Sequence, residues 1–127
     1  MKGANAIEGA VTTPSGDELL RLLAALANPH RLRIVAALAG GRNYVSRLAR
    51  ELGMSRPLLH MHLQRLEAAG WVVGTLELSE DGKAMKYFEV TPLVLHLSPA
   101  TIAEAVRTLS TDNPDGSAAG RDRAEGD

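Results

Sequence analysis

Leucines recur along the first part of the chain at the spacing of an amphipathic helix. Leu19, Leu22, Leu23 and Leu26 fall at positions i, i+3, i+4 and i+7, which places them on one stripe of a helix. Ser15, a residue type that caps helix N-termini well, stands just before this stripe. The pattern therefore predicts a first helix that starts after Ser15 and buries one apolar face.

Caps and glycines mark three further helices. The spacing predicts a second helix over about 28–39, a short third helix over about 43–52 and a fourth helix over 55–69. Gly53 ends the third helix and Gly70 ends the fourth. A short helix, a turn of three residues containing glycine and a longer helix together form a helix-turn-helix unit.

The pattern changes after Gly70. Residues 71–78 and 85–90 are rich in strand formers, and a polar turn at 79–83 that contains Asp-Gly joins them into a hairpin. A last helix is predicted over 99–109. The expected fold class is mainly α (α+β): a winged helix-turn-helix with four helices, a β-hairpin wing and a C-terminal helix.

Composition divides the chain into three parts. Residues 1–14 have no period, and residues 111–127 contain no Leu, Ile, Val, Met or aromatic residue. Segments of this kind bury too little apolar surface to offset their ordering entropy. We therefore expect a flexible N-terminal tail over 1–14, one folded domain over 15–110 and a disordered acidic tail over 111–127.

The formal net charge of -1 hides an uneven distribution. Between Asn28 and Leu66 there are seven arginines and a single acid, Glu51, whereas five acids and two arginines lie in the last 17 residues. A basic centre favours an anionic partner such as nucleic acid. The same arginines could also serve as helix formers on solvated faces.

Several function classes are disfavoured by the sequence. The chain has no cysteine, which excludes disulfides, thiol catalysis and Cys-ligated metals. Neither a secretory signal nor a membrane-spanning apolar run is present, so a cytoplasmic location is expected. No pair of carboxylates, nucleophile with a base or phosphate-binding loop appears, so we expect no enzyme and no cofactor.

Four fragments, in order and correctly spaced, resemble the ArsR/SmtB-type winged-helix repressors of bacteria. They run from Leu22 to Ile34, from Leu48 to Ser55, from His62 to Val72 and from Gly82 to Val90. The resemblance extends over about 19–109, which is nearly all of the expected folded domain. The resemblance implies a DNA-binding transcriptional regulator, and a palindromic operator bound by a homodimer formed through the first and last helices.

The fourth helix is the expected reader of bases. Leu59, Leu63 and Leu66 share its inward face, which leaves a small, largely neutral set of side chains on the other side. A helix of this kind fits the major groove and reads bases mainly through its N-terminal residues. The predicted set on this helix is Ser55, Arg56, Pro57, His60, Met61 and Gln64.

Other basic residues are predicted to contact phosphates. Arg42, Arg47 and Arg50 flank or lie on the third helix, and Lys83 and Lys86 lie on the hairpin. Such contacts fix the register of a protein on DNA without reading sequence. His62 lies beside the core stripe, so a packed structural role is expected for it rather than base reading. The sequence departs from the family pattern at His60 and Met61, where Ser and His are usual.

A metal site is not predicted. His60 and His62 are two positions apart on a helix, so their side chains diverge, and His96 and Glu104 are too far apart to share an ion. A small-molecule effector, a partner protein or no effector at all remain open. The alternatives to an ArsR-type repressor are a MarR-like or other winged-helix regulator, and a winged-helix protein-interaction module.

Overall fold

The computed structural model describes residues 11–110 of the chain, as a mixed α+β fold. The predicted tail over 111–127 and most of the one over 1–14 therefore lie outside the described residues. The elements in chain order are β1 (Val11–Thr12), α1 (Gly16–Leu26), α2 (Pro29–Ala39), β2 (Asn43–Tyr44), α3 (Val45–Leu52), α4 (Arg56–Ala69), β3 (Val72–Leu78), β4 (Ala84–Val90), β5 (Val94–Leu95) and α5 (Pro99–Val106).

Hydrogen bonds from side chains define the starts of the helices. Ser15 and Glu18 form a reciprocal capping box at the start of α1, and Asn28 caps α2 with Pro29 in the first turn. The Ser55 hydroxyl accepts from the Leu58 amide at 3.2 Å and so begins α4. Because only residues 53–55 separate α3 from α4, the two helices form the predicted helix-turn-helix.

Three strands form an antiparallel sheet in the order β2-β4-β3. Strands β3 and β4 pair from Val72↔Val90 to Leu78↔Ala84, which is the predicted hairpin. The short strand β2 was not predicted. Asn43 and Tyr44 pair with Phe88 and Tyr87, so α3 starts at Val45 rather than at either of these residues.

A second unpredicted pairing lies at the other end of the fold. Val11–Thr12 runs parallel to Val94–Leu95, so these two residues of the expected tail belong to a strand. The amide of Ser110 donates to an Asp17 carboxylate oxygen at 3.0 Å. Both ends of the described chain therefore lie close to the N-terminus of α1.

The core lies where α2, α3 and α4 meet the sheet. Its most buried members are aliphatic side chains of the helices with Val72 and Phe88 from the strands. Trp71 fixes the hairpin to α1, because its indole N–H donates to the Leu22 carbonyl at 2.9 Å. The helix-turn-helix and the wing are thus parts of one packed unit.

The last helix packs against α1 at a close approach. A Cβ atom built on Gly16 would lie 2.5 Å from the Ala105 carbonyl oxygen, so only glycine allows this contact. Helix α5 ends at Val106, one turn before the predicted end. Of its apolar stripe only Ala105 is buried, while Ile102 and Val106 remain exposed.

Candidate nucleic-acid interface

Helix α4 buries one face and exposes the other, as its periodicity predicts. Leu59, Leu63 and Leu66 have no exposed surface, because they lie in the core. The predicted base-reading residues are all exposed: Ser55, Arg56, Pro57, His60, Met61 and Gln64. Their exposure leaves this face of α4 free to enter a groove of a nucleic acid.

The polar members of this face are free to make new contacts. Among residues 11–110, the side chains of Arg56, His60 and Gln64 have no hydrogen-bond partner. The Ser55 hydroxyl is engaged as the cap of α4, although it can still donate. This face therefore offers guanidinium, imidazole and amide groups beside the apolar Met61, which is the chemistry that reads base edges.

His62 is buried between helices instead of facing outward. Its side chain is 3% exposed, and its Nδ1 atom lies 3.1 Å from Nη1 of Arg31. Since a guanidinium only donates, Nδ1 must accept and Nε2 must carry the proton. Burial, reinforced by the positive charge of Arg31, lowers the pKa of His62. The expected structural role of His62 is what the structure shows.

Arg31 connects three helices, which sequence reasoning missed. Besides its contact with His62 on α4, its Nε atom donates to the Ala25 carbonyl of α1 at 2.7 Å. Nothing in the sequence distinguishes Arg31 from its neighbour Arg33, which is exposed. Arg31 therefore holds the position of α4 relative to α1 from its place on α2.

Arg42 is already paired with an acid of the wing. Its guanidinium binds both carboxylate oxygens of Glu77 and lies 4.1 Å from the centre of the Tyr87 ring. The hydrogen bond from Arg42 lowers the pKa of Glu77 below its usual value. A phosphate contact by Arg42 would have to compete with this pair.

The two arginines of α3 differ in their surroundings. Arg47 forms an ion pair with Glu51 at 3.1 Å, and Glu51 also accepts from the Asn43 amide. Arg50 is exposed and has no side-chain partner among the described residues. Of the arginines beside α3, Arg50 is thus the one whose charge is uncompensated.

The wing presents lysines on a tip that also contains acids. Lys83 is exposed in a turn closed by the Ser79 hydroxyl, and Lys86 lies 5.6 Å from the centre of the Phe88 ring. Glu80 and Asp81 adjoin Lys83, and a hydrogen bond from Ser79 lowers the pKa of Asp81. The acids reduce the positive field of the tip, although the sequence pattern predicts only the contribution of the lysines.

The described residues show neither a metal cluster nor a membrane-spanning element. Among residues 11–110 there is no group of three His, Asp or Glu residues that could hold a metal ion. His60 and His62 point to different surroundings, one exposed and one buried. No helix in the described part is long and apolar enough to cross a membrane.

Comparisons with known proteins agree with this geometry. Residues 28–72 match the model of the bacterial regulatory protein, arsR family. The HTH-type transcriptional regulator CmtR of Mycobacterium bovis is 37% identical over 98 residues, which are 76% of this chain and 77% of CmtR. CmtR of Mycobacterium tuberculosis gives the same values.

Solved structures show the same fold. A possible transcriptional regulatory protein (fragment 1–100) from Mycobacterium bovis superposes with a TM-score of 0.53 and 25% identity over 72% of this chain and 86% of that chain. A solution structure from the same organism is described as a homodimeric winged helix-turn-helix DNA-binding domain. It superposes with a TM-score of 0.53 and 23% identity over 86% of this chain and 89% of that chain. The findings favour the ArsR family over a MarR-like regulator. The chain belongs to the ArsR family of bacterial regulatory proteins and is a winged helix-turn-helix transcriptional regulator that binds DNA.

Proposed function

We propose that the chain is a homodimeric repressor that binds a palindromic operator with α4 in the major groove and the wing on the adjacent backbone. The observation that carries this proposal is the exposed face of α4, whose polar side chains have no partner among residues 11–110. Two copies of one helix on a two-fold axis read two half-sites, which gives more specificity than one helix provides.

The site residues divide by what they contact. Bases are read by the exposed face of α4, where Arg56 is suited to guanine, Gln64 to adenine and Met61 to the thymine methyl group. Phosphates are bound by Arg50 and by the wing lysines, with smaller contributions from Arg42 and Arg47 because their charges are compensated by acids. Ser55, Pro57 and His60 complete the surface that enters the groove.

The homodimer forms through α1 and α5. Leu20 on α1 is 50% exposed, and Ile102 and Val106 on α5 are 41% and 54% exposed. Large apolar side chains exposed together on two packed helices favour an interface. A protein of the same fold is described as homodimeric, which supports the proposal.

The remaining features follow from the sequence and its family. The protein acts in the cytoplasm without enzymatic activity, cofactor or Cys-based metal sensor. A cavity of about 530 Å³ is lined by α1, α5 and the segment around β5, and it has room for a small-molecule effector. Cavities of this size hold small organic molecules.

The proposed split between phosphate and base contacts is tested with two variants. Arg50→Ala should weaken binding to all duplexes and lower the slope of log affinity against log salt by about one, because one phosphate contact is lost. Gln64→Ala should instead reduce discrimination between the operator and other sequences. Fluorescence anisotropy over a salt series measures both, on an operator selected from random duplexes.

Arg33→Ala is the matched control, since Arg33 is an exposed arginine of α2 outside the proposed interface. It should leave both the slope and the discrimination unchanged. An unchanged slope for Arg50→Ala, or selected sequences without two-fold symmetry, would contradict the proposed contacts.

A further inference from the structure

A shallow groove lies between the C-terminal halves of α1 and α4. Its volume is about 280 Å³. The floor is formed by alanines, Ala24 and Ala25 on α1 and Ala68 and Ala69 on α4. Because an alanine side chain ends at Cβ, two such pairs on facing helices leave the space between the helices unfilled.

The other residues that line this groove are all arginines. Arg21 extends from α1, Arg65 from α4 and Arg31 from α2. None of the three has an ion-pair partner among residues 11–110. Each guanidinium stays charged at any physiological pH. The groove therefore combines three positive charges with no compensating carboxylate in its lining.

The nearest acids along the two helices are engaged elsewhere. Glu18 and Asp17, three and four residues before Arg21, accept from the Ser15 amide at 2.9 Å and from the Ser110 amide at 3.0 Å. Glu67, two residues after Arg65, accepts from the Gly74 amide at 3.2 Å and so faces the wing. None of these carboxylates pairs with the arginines of the groove, so their positive charges have no acid partner among residues 11–110.

We propose that this groove binds a phosphate-type oxyanion, as the phosphoryl group of a small molecule. Guanidinium groups bind phosphate oxygens through paired, charge-assisted hydrogen bonds, so three arginines lining one groove favour a phosphate-type anion. The volume suits a phosphate or pyrophosphate group.

DNA offers the same chemistry, but the position of the groove favours a free molecule. Arg65 lies nine residues beyond Arg56, about 13 Å further along the axis of α4. Apart from Gln64, the base-reading residues lie in the first two turns of the helix, where recognition helices mainly contact DNA. Gln64 directly precedes Arg65, but successive side chains diverge by about 100° around a helix. The other wall of the groove is α1, which has no predicted DNA contact.

Occupancy of the groove would affect α4 through Arg31. The Arg31 guanidinium already donates to the Ala25 carbonyl of α1 and to His62 of α4. An anion that draws this guanidinium into the groove would therefore change its contact with His62, which positions α4. This coupling rests on the proposed DNA-binding function, whereas binding of the anion itself does not.

Isothermal titration of the full-length chain with inorganic phosphate and with pyrophosphate tests the site. Wild-type protein should bind pyrophosphate more tightly than phosphate. The double variant Arg21→Gln with Arg65→Gln should bind either anion about tenfold more weakly or not at all, because two charge-assisted contacts are lost. Both residues are exposed, so the variant should fold. Arg33→Gln removes one arginine charge outside the groove and should bind like wild type.

Other results of the anion titrations would overturn the proposal. The site does not exist if wild-type protein binds neither anion, or if the double variant binds like wild type. If the free anions do not bind but the double variant lowers the salt slope of DNA affinity, the groove serves the DNA backbone. A chain that binds pyrophosphate but no duplex would instead refute the proposed function and leave the anion site standing.

Discussion

Arg42 and Glu77 are 35 positions apart in sequence and meet as an ion pair between the segment before α3 and the wing. The pair is partly exposed, with 43% and 41% of the two side chains accessible, so its own contribution to stability is small. Its larger effect is on charge, because Glu77 neutralises Arg42, which is predicted to contact a DNA phosphate.

Glu77→Gln should therefore raise DNA affinity. Releasing the Arg42 guanidinium adds one phosphate contact, and the slope of log affinity against log salt should steepen by about 0.9. Fluorescence anisotropy at several salt concentrations gives this slope. Glu80→Gln removes the same charge from the wing without releasing an arginine, so it is the control. Equal effects of the two variants would show that only net charge matters.

His62 predicts a dependence of stability on pH. Its pKa is lowered in the folded state by burial and by the positive charges of Arg31, His30 and Arg65. In the unfolded chain it should protonate near pH 6.5. The unfolded state then binds more protons than the folded state, so the free energy of unfolding should fall as pH drops below about 6.5. One group contributes at most about 1.4 kcal/mol per pH unit.

Urea denaturation at pH 7.5 and at pH 5.5 measures this dependence. His62→Gln cannot titrate, so its free energy of unfolding should change less between the two pH values, whatever its stability at pH 7.5. If the wild type and His62→Gln lose equal stability, other groups cause the pH dependence.

At the scale of elements, Gly74 lets the wing approach both α4 and its partner strand. A Cβ atom at this position would lie 2.8 Å from Cε1 of Phe88, which is 2% exposed and cannot move freely. The Gly74 amide also donates to Glu67 of α4, which fixes the angle at which the wing leaves the helix. A small residue is therefore required where β3 crosses the core.

Gly74→Ala should lower the free energy of unfolding by about 1–3 kcal/mol, the usual cost of overpacking a core. Urea denaturation followed by circular dichroism measures the change. Thr75→Ala, at an exposed position of the same strand, should change stability by less than about 0.5 kcal/mol. A Gly74→Ala protein as stable as the wild type would show that Phe88 can move aside.

The helices and the hairpin could be predicted because their signals are local. Caps, glycines and periodicity place α4 and its exposed face without reference to any other element. The two-residue strand Asn43–Tyr44 has no period of its own, and it exists only because β4 lies beside it. Val11–Thr12 is likewise defined by β5, so composition alone assigned it to a tail.

The ion pairs and hydrogen bonds of the site residues were harder to predict than the positions of these residues on the helices. That Gln64 and Arg56 face outward follows from the helical repeat. That Arg42 is neutralised by Glu77, and that Arg31 holds His62, depends on contacts between residues more than 30 positions apart. Such pairings require the tertiary fold, so the sequence could not rank its arginines.

At the scale of the whole molecule, the exposed apolar residues of α1 and α5 predict a dimer. Ile102→Glu with Val106→Glu would place two charges in the interface, and burying unpaired charges is costly. The variant should sediment as a monomer of about 13.5 kDa, whereas the wild type should sediment at twice that mass. It should also lose most of its operator affinity, because one half-site alone is read.

Leu76→Glu is the control, since Leu76 on the wing is 66% exposed and lies outside α1 and α5. It should sediment like the wild type, and circular dichroism should show that both variants fold. Monomeric wild-type protein at micromolar concentration would contradict the predicted interface.

The first and last described residues, Val11 and Ser110, both lie near α1. Val11 pairs with Val94, and Ser110 binds Asp17, so the described part of the chain begins and ends at the same corner of the fold. That corner adjoins the helices through which two copies are proposed to associate. Sedimentation and operator titrations should therefore use protein without added affinity tags, and fluorescent labels are better attached to the duplex, because the opposite end of the fold is the hairpin tip whose lysines are proposed to bind phosphate.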